Sequence, residues 1–144
     1  MRTLACLVAA GMLALSASAA GAGEVAYGQA YDTLYSIDIA SHTATEVGTA
    51  GTYGGVPIAN LSGLSFSPDG VLYAIAGGFG ALARIDPATG AGTPVGSLGL
   101  SGQGDPQRND ALDLSMTFDC EGTPWLVSAV ANKLWTVNPS NGAT

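Results

Sequence analysis

A polar segment in the second half of the chain carries four oxygen-bearing side chains whose types could bind a metal ion. They are Asp105, Asn109, Asp110 and Asp113. Carboxylate and amide oxygens are the ligands that Ca²⁺ takes in proteins, so this segment predicts a metal or ligand site. The spacing differs from the EF-hand pattern Asp-x-Asp-x-Asp-Gly. A solvated loop in which Asp110 or Asp113 bonds the backbone remains the alternative.

Residues for acid–base or nucleophilic catalysis are scarce in this sequence. His42 is the only histidine, so no Ser-His-Asp arrangement can be assembled without it. Residues 77–80 (GGFG) lack the lysine and the following helix of a phosphate-binding loop. Tyr73 and Trp125 occupy one position of a repeat, which predicts packing partners and not an aromatic cage. Whether the protein is an enzyme stays open, and the residues favour a protein without catalytic activity.

A five-residue segment that occurs three times in the sequence predicts the structural elements that position these residues. Residues 34–38 (LYSID) recur as 82–86 (LARID) and as 134–138 (LWTVN), at offsets of 48 (34 to 82) and 52 (82 to 134) residues. The turn that follows also recurs, as 86–90 (DPATG) and 138–142 (NPSNG). A repeat of this period indicates a stacked or radial architecture.

Turn residues divide each repeat into short segments. In 67–70 (SPDG) the proline presets φ at the second turn position and the glycine supplies a positive φ. In 86–90 an aspartate can bond the backbone ahead of it and a glycine closes the turn. The first copy of that turn, 38–42, is degenerate and has His42 where the other copies have glycine.

Polar and apolar residues alternate between these turns. Leu112, Leu114, Met116 and Phe118 share one parity, and the residues between them are polar. This period of two predicts strands. In the middle repeat the predicted strands are a (61–67), b (71–77), c (81–86) and d (92–98).

The N-terminal residues 1–19 have the features of a signal peptide. Arg2 precedes an apolar run, and Ala17 and Ala19 suit a small-residue cleavage site. The apolar run is too short to span a membrane. We therefore expect a secreted or periplasmic bacterial protein with no membrane insertion after cleavage.

Net charge limits the classes of binding partner, and cysteine content limits the disulfides that the chain can form. The chain has 11 acidic and 4 basic residues and a formal net charge of −7, which argues against nucleic acid as a partner. Cys120 is the only cysteine after the predicted signal peptide, so it cannot form an intrachain disulfide. Cys120 is therefore buried, free or paired with another molecule, and the sequence favours a buried side chain.

Four-strand repeats of this length resemble the blades of β-propellers. Residues 66–74 (FSPDGVLYA) and 85–96 (IDPATGAGTPVG) resemble the repeats of bacterial exported propellers of the YncE-like, NHL-like, lactonase-like and quinoprotein-like group, with a WD40-like arrangement of strands. The resemblance implies an all-β fold of four-stranded antiparallel blades. No tryptophan follows Gly90 or Gly142, which argues against a quinone cofactor.

The repeat predicts about two and a half blades in residues 20–144. A closed ring needs about four or more blades, so we expect an incomplete ring, either part of a longer polypeptide or one that self-assembles. The predicted units are blade 1 without strand a (24–51), blade 2 (60–99) and blade 3 without a complete strand d (112–144).

The resemblance also indicates where function would lie. In propellers the d-to-a and b-to-c loops form the face that carries ligand sites, and the longest d-to-a loop here, 100–111, is the most polar stretch of the chain. We expect an exported scaffold that binds an unknown protein or small molecule. The alternative is part of a metal-dependent, lactonase-like hydrolase. Ca²⁺ is the only cofactor that the sequence suggests.

Overall fold

The computed structural model describes residues 24–100, 114–129 and 131–144, and these fold into β-strands and tight turns. Residues 77–79 form a single 3-10 turn. Within the described residues no helix is long and apolar enough to cross a membrane. The strands are β1 (Val25–Ala30), β2 (Thr33–Asp38), β3 (Thr43–Thr49), β4 (Thr52–Tyr53), β5 (Val56–Pro57), β6 (Leu61–Phe66), β7 (Leu72–Ala76), β8 (Ala81–Ile85), β9 (Gly92–Ser97), β10 (Ser115–Phe118), β11 (Pro124–Ser128) and β12 (Lys133–Thr136).

Each sheet is an antiparallel meander in which every strand pairs with the next one in sequence. We call β1-β2-β3 blade 1, β6-β7-β8-β9 blade 2 and β10-β11-β12 blade 3. The short hairpin β4-β5 lies in the connection between blades 1 and 2. The four strands of blade 2 lie within one residue of the strands that the repeat predicts. The architecture is that of a partial β-propeller, as predicted.

The turns within the blades are formed by the glycine and aspartate residues that the sequence predicts for them. In blade 2 the a-to-b turn is closed by the Gly70 amide, which donates to the Ser67 carbonyl at 2.9 Å, and Gly70 has a φ of 83°. In the c-to-d turn the Ala88 amide and the Thr89 hydroxyl each donate to the Asp86 carboxylate at 2.8 Å. These are the side-chain and glycine turns that punctuate the repeat.

Blade 2 is covered on both faces, and strand β7 shows it most clearly because all five of its residues are buried. Leu72, Ala74 and Ala76 pack in the core shared with blade 1. Tyr73 and Ile75 pack in the core shared with blade 3. A strand that is buried on both faces has a continuous apolar sequence and not an alternating one, which is the pattern of 72–76 (LYAIA).

The inner strands of blades 2 and 3 approach so closely that one position of β6 requires glycine. Gly63 has a φ of 57°, and a Cβ at this position would lie 2.7 Å from the backbone nitrogen of Met116. The register between β6 and β7 shifts between Ser62 and Ser65. Such a bulge places an extra residue in one strand and bends it, which brings β6 against β10.

A second pair of close approaches joins the last strand of one blade to the c-to-d turn of the next. A Cβ on Gly48 would overlap the Thr89 carbonyl oxygen, and one on Gly90 would overlap the Gly48 carbonyl. The same relation holds between Gly96 and Gly142 one blade later. We call these two contacts the glycine clasps. They explain why the repeat contains glycine at both positions.

Candidate functional site

The predicted metal or ligand residues Asp105, Asn109, Asp110 and Asp113 lie outside the described residues. The prediction of a Ca²⁺ or ligand site at these positions therefore stays a prediction. Among the residues that the structure describes, no group of three or more His, Cys, Asp and Glu side chains is placed to hold a metal ion.

Two aspartates at c-to-d turns have structural roles. The Ser41 amide donates to the Asp38 carboxylate at 2.9 Å, and this backbone hydrogen bond lowers the pKa of Asp38. The Ala88 amide, followed by the Thr89 hydroxyl, lowers the pKa of Asp86 in the same way. Hydrogen bonds to the charged form favour that form, so both carboxylates are anionic turn caps and not proton donors near neutral pH.

Asp119 has a similar role in the a-to-b turn of blade 3 and also binds an aromatic side chain. Its carboxylate accepts hydrogen bonds from the Trp125 indole at 2.8 Å, the Thr123 amide at 2.8 Å and the Glu121 amide at 3.1 Å. The Trp125 bond is the main cause of the lowered pKa of Asp119, followed by the bond from Thr123. Asp119 therefore fixes both the turn and the indole ring.

His42 lies in the c-to-d turn of blade 1 and is exposed. Its φ of 56° matches the left-handed conformation of Gly90 (78°) and Gly142 (77°) in the other two blades. The structure thus gives His42 the position of a turn residue, as predicted.

The prediction that Cys120 is buried is wrong, because the structure leaves its side chain exposed. Cys120 is the second residue of the a-to-b turn in blade 3. The equivalent residue in blade 2, Pro68, is exposed as well. The second position of a turn projects away from both strands, so an apolar residue type there does not imply burial.

A groove between the a-to-b turns of blades 2 and 3 is a candidate site. Its volume is about 310 Å³. The two turns meet along it, since a Cβ on Gly122 would lie 3.9 Å from the Pro68 ring. We call it the turn groove, and the lining residues that matter here are Ser67, Asp69, Tyr73, Phe118, Glu121 and Pro139.

The turn groove combines an aromatic wall with an anionic rim. The rings of Tyr73 and Phe118 pack with their centroids 5.4 Å apart. Asp69 and Glu121 are both exposed at the rim. Aromatic faces and carboxylates both attract cations, so this arrangement suits a cationic group attached to an apolar body.

A neighbouring arginine holds one wall of the groove in place. Arg84 Nε donates to the Tyr73 hydroxyl at 3.3 Å, and the guanidinium carbon lies 5.7 Å from the centre of the Tyr73 ring. Tyr73 itself is buried. The ring is therefore held in one orientation before any ligand binds.

The sequence alone does not reveal this site, although it marks several of the residues that form it. Tyr73 and the 67–70 turn are repeat positions, and Phe118 is an apolar strand position. The groove arises only where the turn of one blade meets the turn of the next. The sequence does contain one sign of the groove: Asp69 and Glu121 occupy the same position of the repeat, and both are acidic.

Comparison with known proteins supports the fold. No family model matches this chain, and no curated protein does. A structural genomics protein of unknown function from Bacteroides thetaiotaomicron VPI-5482 matches with a TM-score of 0.62 at 15% sequence identity. The match covers 82% of this chain and 29% of that one. This likeness shows a shared fold, and the chain spans less than a third of the solved structure that it resembles.

Two further solved structures match at lower TM-scores. A luciferin-regenerating enzyme matches with a TM-score of 0.49 and 17% identity, over 77% of this chain and 34% of that one. Virginiamycin B lyase from Staphylococcus aureus matches with a TM-score of 0.46 and 15% identity, over 76% of this chain and 32% of that one. The class of the protein follows from its own architecture: successive antiparallel blades, of which blade 2 has four strands and blades 1 and 3 have three in the described residues, define a propeller-type repeat fold.

Proposed function

We propose that this chain is an exported propeller repeat domain that binds a ligand through the turn groove and does not catalyse a reaction. The observation that carries the proposal is the combination of aromatic wall and anionic rim. The ligand class is a cation attached to an apolar or aromatic group, either a small molecule or a side chain of a partner protein.

The electrostatics support a cationic ligand. Asp69 and Glu121 are exposed, so each ion pair with a ligand contributes only about 0–1 kcal/mol. Tyr73 is buried and already faces Arg84, so the ligand contacts the half-buried Phe118 ring, which adds a cation–π term of about 0.5–1 kcal/mol. The chain's net charge of −7 raises the local concentration of cations and their rate of encounter. Weak, fast binding of a small cation is the expected outcome.

The binding test uses two probes of the same shape and opposite charge, phenethylamine and phenylacetate. Amide chemical shifts of Gly70 and Gly122 are followed by NMR during each titration. Phenethylamine is expected to shift these resonances saturably, and phenylacetate is not. Equal responses to both probes, or no response to either, would contradict the proposal.

Matched variants locate the site. The double variant Asp69→Asn with Glu121→Gln is expected to lose phenethylamine binding, because the anionic rim is gone. Glu24→Gln with Glu46→Gln is the control, since it removes the same two negative charges from exposed side chains of blade 1, away from the groove. Equal loss of binding in the control would show that overall charge, and not the groove, attracts the probe.

Export rests on the signal-peptide pattern of residues 1–19. Expression of the full chain in a bacterium followed by N-terminal sequencing of the periplasmic and secreted fractions tests it. Cleavage just after Ala19 is expected. A full-length chain that stays in the cytoplasm would refute export while leaving the binding proposal intact.

A metal-dependent, lactonase-like hydrolase remains the second candidate because of the acidic segment. Asp105, Asn109, Asp110 and Asp113 supply three carboxylates and an amide for Ca²⁺. Calcium that binds only the folded state at about 100 times its Kd stabilises by about 2.7 kcal/mol. A rise in Tm with CaCl₂, lost in Asp110→Asn, together with lactone hydrolysis, would support this candidate. An unchanged Tm would remove it.

A further inference from the structure

Each junction between consecutive blades buries an equivalent leucine. We call the face of a blade that points to the next blade its trailing face. Leu34 on the trailing face of blade 1 is 0% exposed, and so is the equivalent Leu82 on blade 2. Both belong to the cores that join a blade to its successor.

An aromatic pair recurs at both junctions. Tyr27 of blade 1 packs edge-on against Phe66 of blade 2, with ring centroids 5.7 Å apart. Tyr73 of blade 2 packs against Phe118 of blade 3 at 5.4 Å. In each pair the first ring comes from strand b of one blade, and the second comes from the end of strand a of the next.

Blade 3 has the same residue types on its trailing face, but nothing in the described part of the chain covers them. Leu134, equivalent to Leu34 and Leu82, is 61% exposed. Val127, which is 47% exposed, lies directly opposite Leu134 in the β11–β12 register. Trp125 occupies the position of the aromatic residue that pairs with phenylalanine at the other two junctions.

We propose that the trailing face of blade 3 (Trp125, Val127 and Leu134) binds a fourth blade of the same repeat, carried as the next repeat of a longer polypeptide. The two internal junctions specify what that blade must present. Its inner strand has apolar residues two positions apart and a phenylalanine for Trp125, as in Leu114, Met116 and Phe118. Its c-to-d turn ends in glycine to complete a further clasp.

The fold likeness supports a blade from the same polypeptide. The structure with a TM-score of 0.62 is matched over only 29% of its own length, so that polypeptide continues well past the matched part. A longer polypeptide can therefore carry both the covered and the covering blade.

A second copy of this chain is a poorer partner for the same face. At both internal junctions the covering blade supplies a phenylalanine from the end of its strand a, Phe66 or Phe118. Blade 1, as far as the structure describes it, consists of β1, β2 and β3, which correspond to strands b, c and d. Head-to-tail stacking of copies would therefore leave Trp125 without that aromatic partner.

The test supplies the missing blade and measures whether it covers residue 134. Because Thr144 aligns with Gly92 in the repeat, repeating residues 93–144 once after Thr144 adds the rest of strand d and a copy of blade 3. Leu134→Cys is introduced into the 144-residue and the extended chain, both in a background in which Cys6 and Cys120 (and the copy of Cys120) are serine. Maleimide labelling of the new thiol is then timed in each, and Ala40→Cys in an exposed turn of blade 1 is the control.

Labelling at residue 134 is expected to slow by on the order of tenfold or more in the extended chain, because a covered side chain reacts only through local opening. The control thiol is expected to react equally in both chains. Equal labelling of residue 134 in the two chains would overturn the proposal. A shorter extension that repeats residues 93–118 supplies the inner strand alone and gives the same readout if the longer chain does not fold.

The oligomeric state of the 144-residue chain separates this proposal from self-association. Sedimentation should show a monomer both for this chain and for its Leu134→Asp variant. A dimer that Leu134→Asp dissociates would mean that a second copy covers the face, and this would overturn the proposal. None of these outcomes depends on ligand binding at the turn groove.

Discussion

The trailing faces of blade 2 and blade 3 carry similar residue types, but one face is buried and the other is exposed to solvent. Leu82 and Ile75 on blade 2 are 0% exposed, whereas Leu134 and Val127 on blade 3 are 61% and 47% exposed. The strands pair in the same order and register in both blades. The difference shows that burial in this fold is set by the neighbouring blade and not by the blade that carries the residue.

The largest expected effect contrasts the two equivalent leucines. Leu82→Ala should lower the free energy of unfolding by about 2–5 kcal/mol, since it removes a fully buried side chain and leaves a cavity. Leu134→Ala should change it by less than about 0.5 kcal/mol, because the side chain is already solvated. Urea unfolding of both variants measures the difference. Equal losses would mean that blade 3 is covered in solution and that the two faces do not differ.

The glycine clasp gives the next contrast, between two glycines with nearly the same backbone. Gly51 (φ 76°) has nothing within 4 Å of an added Cβ, whereas Gly90 (φ 78°) faces the Gly48 carbonyl of blade 1. Gly51→Ala should cost about 1–2 kcal/mol for left-handed strain alone. Gly90→Ala should cost more, about 3 kcal/mol in total, because blades 1 and 2 must also separate. Similar losses in urea unfolding would show that the clasp contributes nothing.

His42→Gly sharpens the comparison between the c-to-d turns of blade 1 and blade 2. Glycine adopts positive φ without steric cost, so the change should raise stability by about 0.5–1 kcal/mol after its greater unfolded-state entropy is deducted. A small upward shift of Tm in calorimetry is the expected result. A decrease would indicate that the imidazole makes a stabilising contact that outweighs the strain.

The smallest expected effect is on the pH dependence of stability. It comes from the a-to-b turn of blade 3, in which Asp119 takes the position that Ser67 has in blade 2. The Trp125 indole bond lowers the pKa of Asp119 below its ordinary value of 3.8. A depressed folded-state pKa gives stability that is present above the unfolded value and is lost as pH falls through the folded value. Trp125→Phe should therefore weaken the fall of Tm with pH below about 4. An unchanged pH profile would contradict the role assigned to this hydrogen bond.

The repeat carries most of the predictable information because its turns are local. Gly70 and Asp86 form the turns expected of them, and the strands of blade 2 follow within one residue. Contacts between blades depend on distant segments and could not be predicted in the same way. The glycine clasps and the turn groove arise only when residues about one repeat apart meet.

Two other features also could not be predicted from the local sequence. Cys120 is apolar and yet exposed, because its turn projects from the blade. The β4-β5 hairpin occupies a connection that carries no alternating pattern. The proposed Ca²⁺ ligands at 105–113 remain a prediction from residue types alone.

The central claim is that consecutive blades of this chain pack through one repeated junction, and NMR of the aromatic rings tests it most directly. The structure places the Tyr27 and Phe66 ring centroids 5.7 Å apart and those of Tyr73 and Phe118 5.4 Å apart. Nuclear Overhauser effects between ring protons are expected within both pairs. Effects in neither pair, in a chain that is folded by its amide spectrum, would contradict the account.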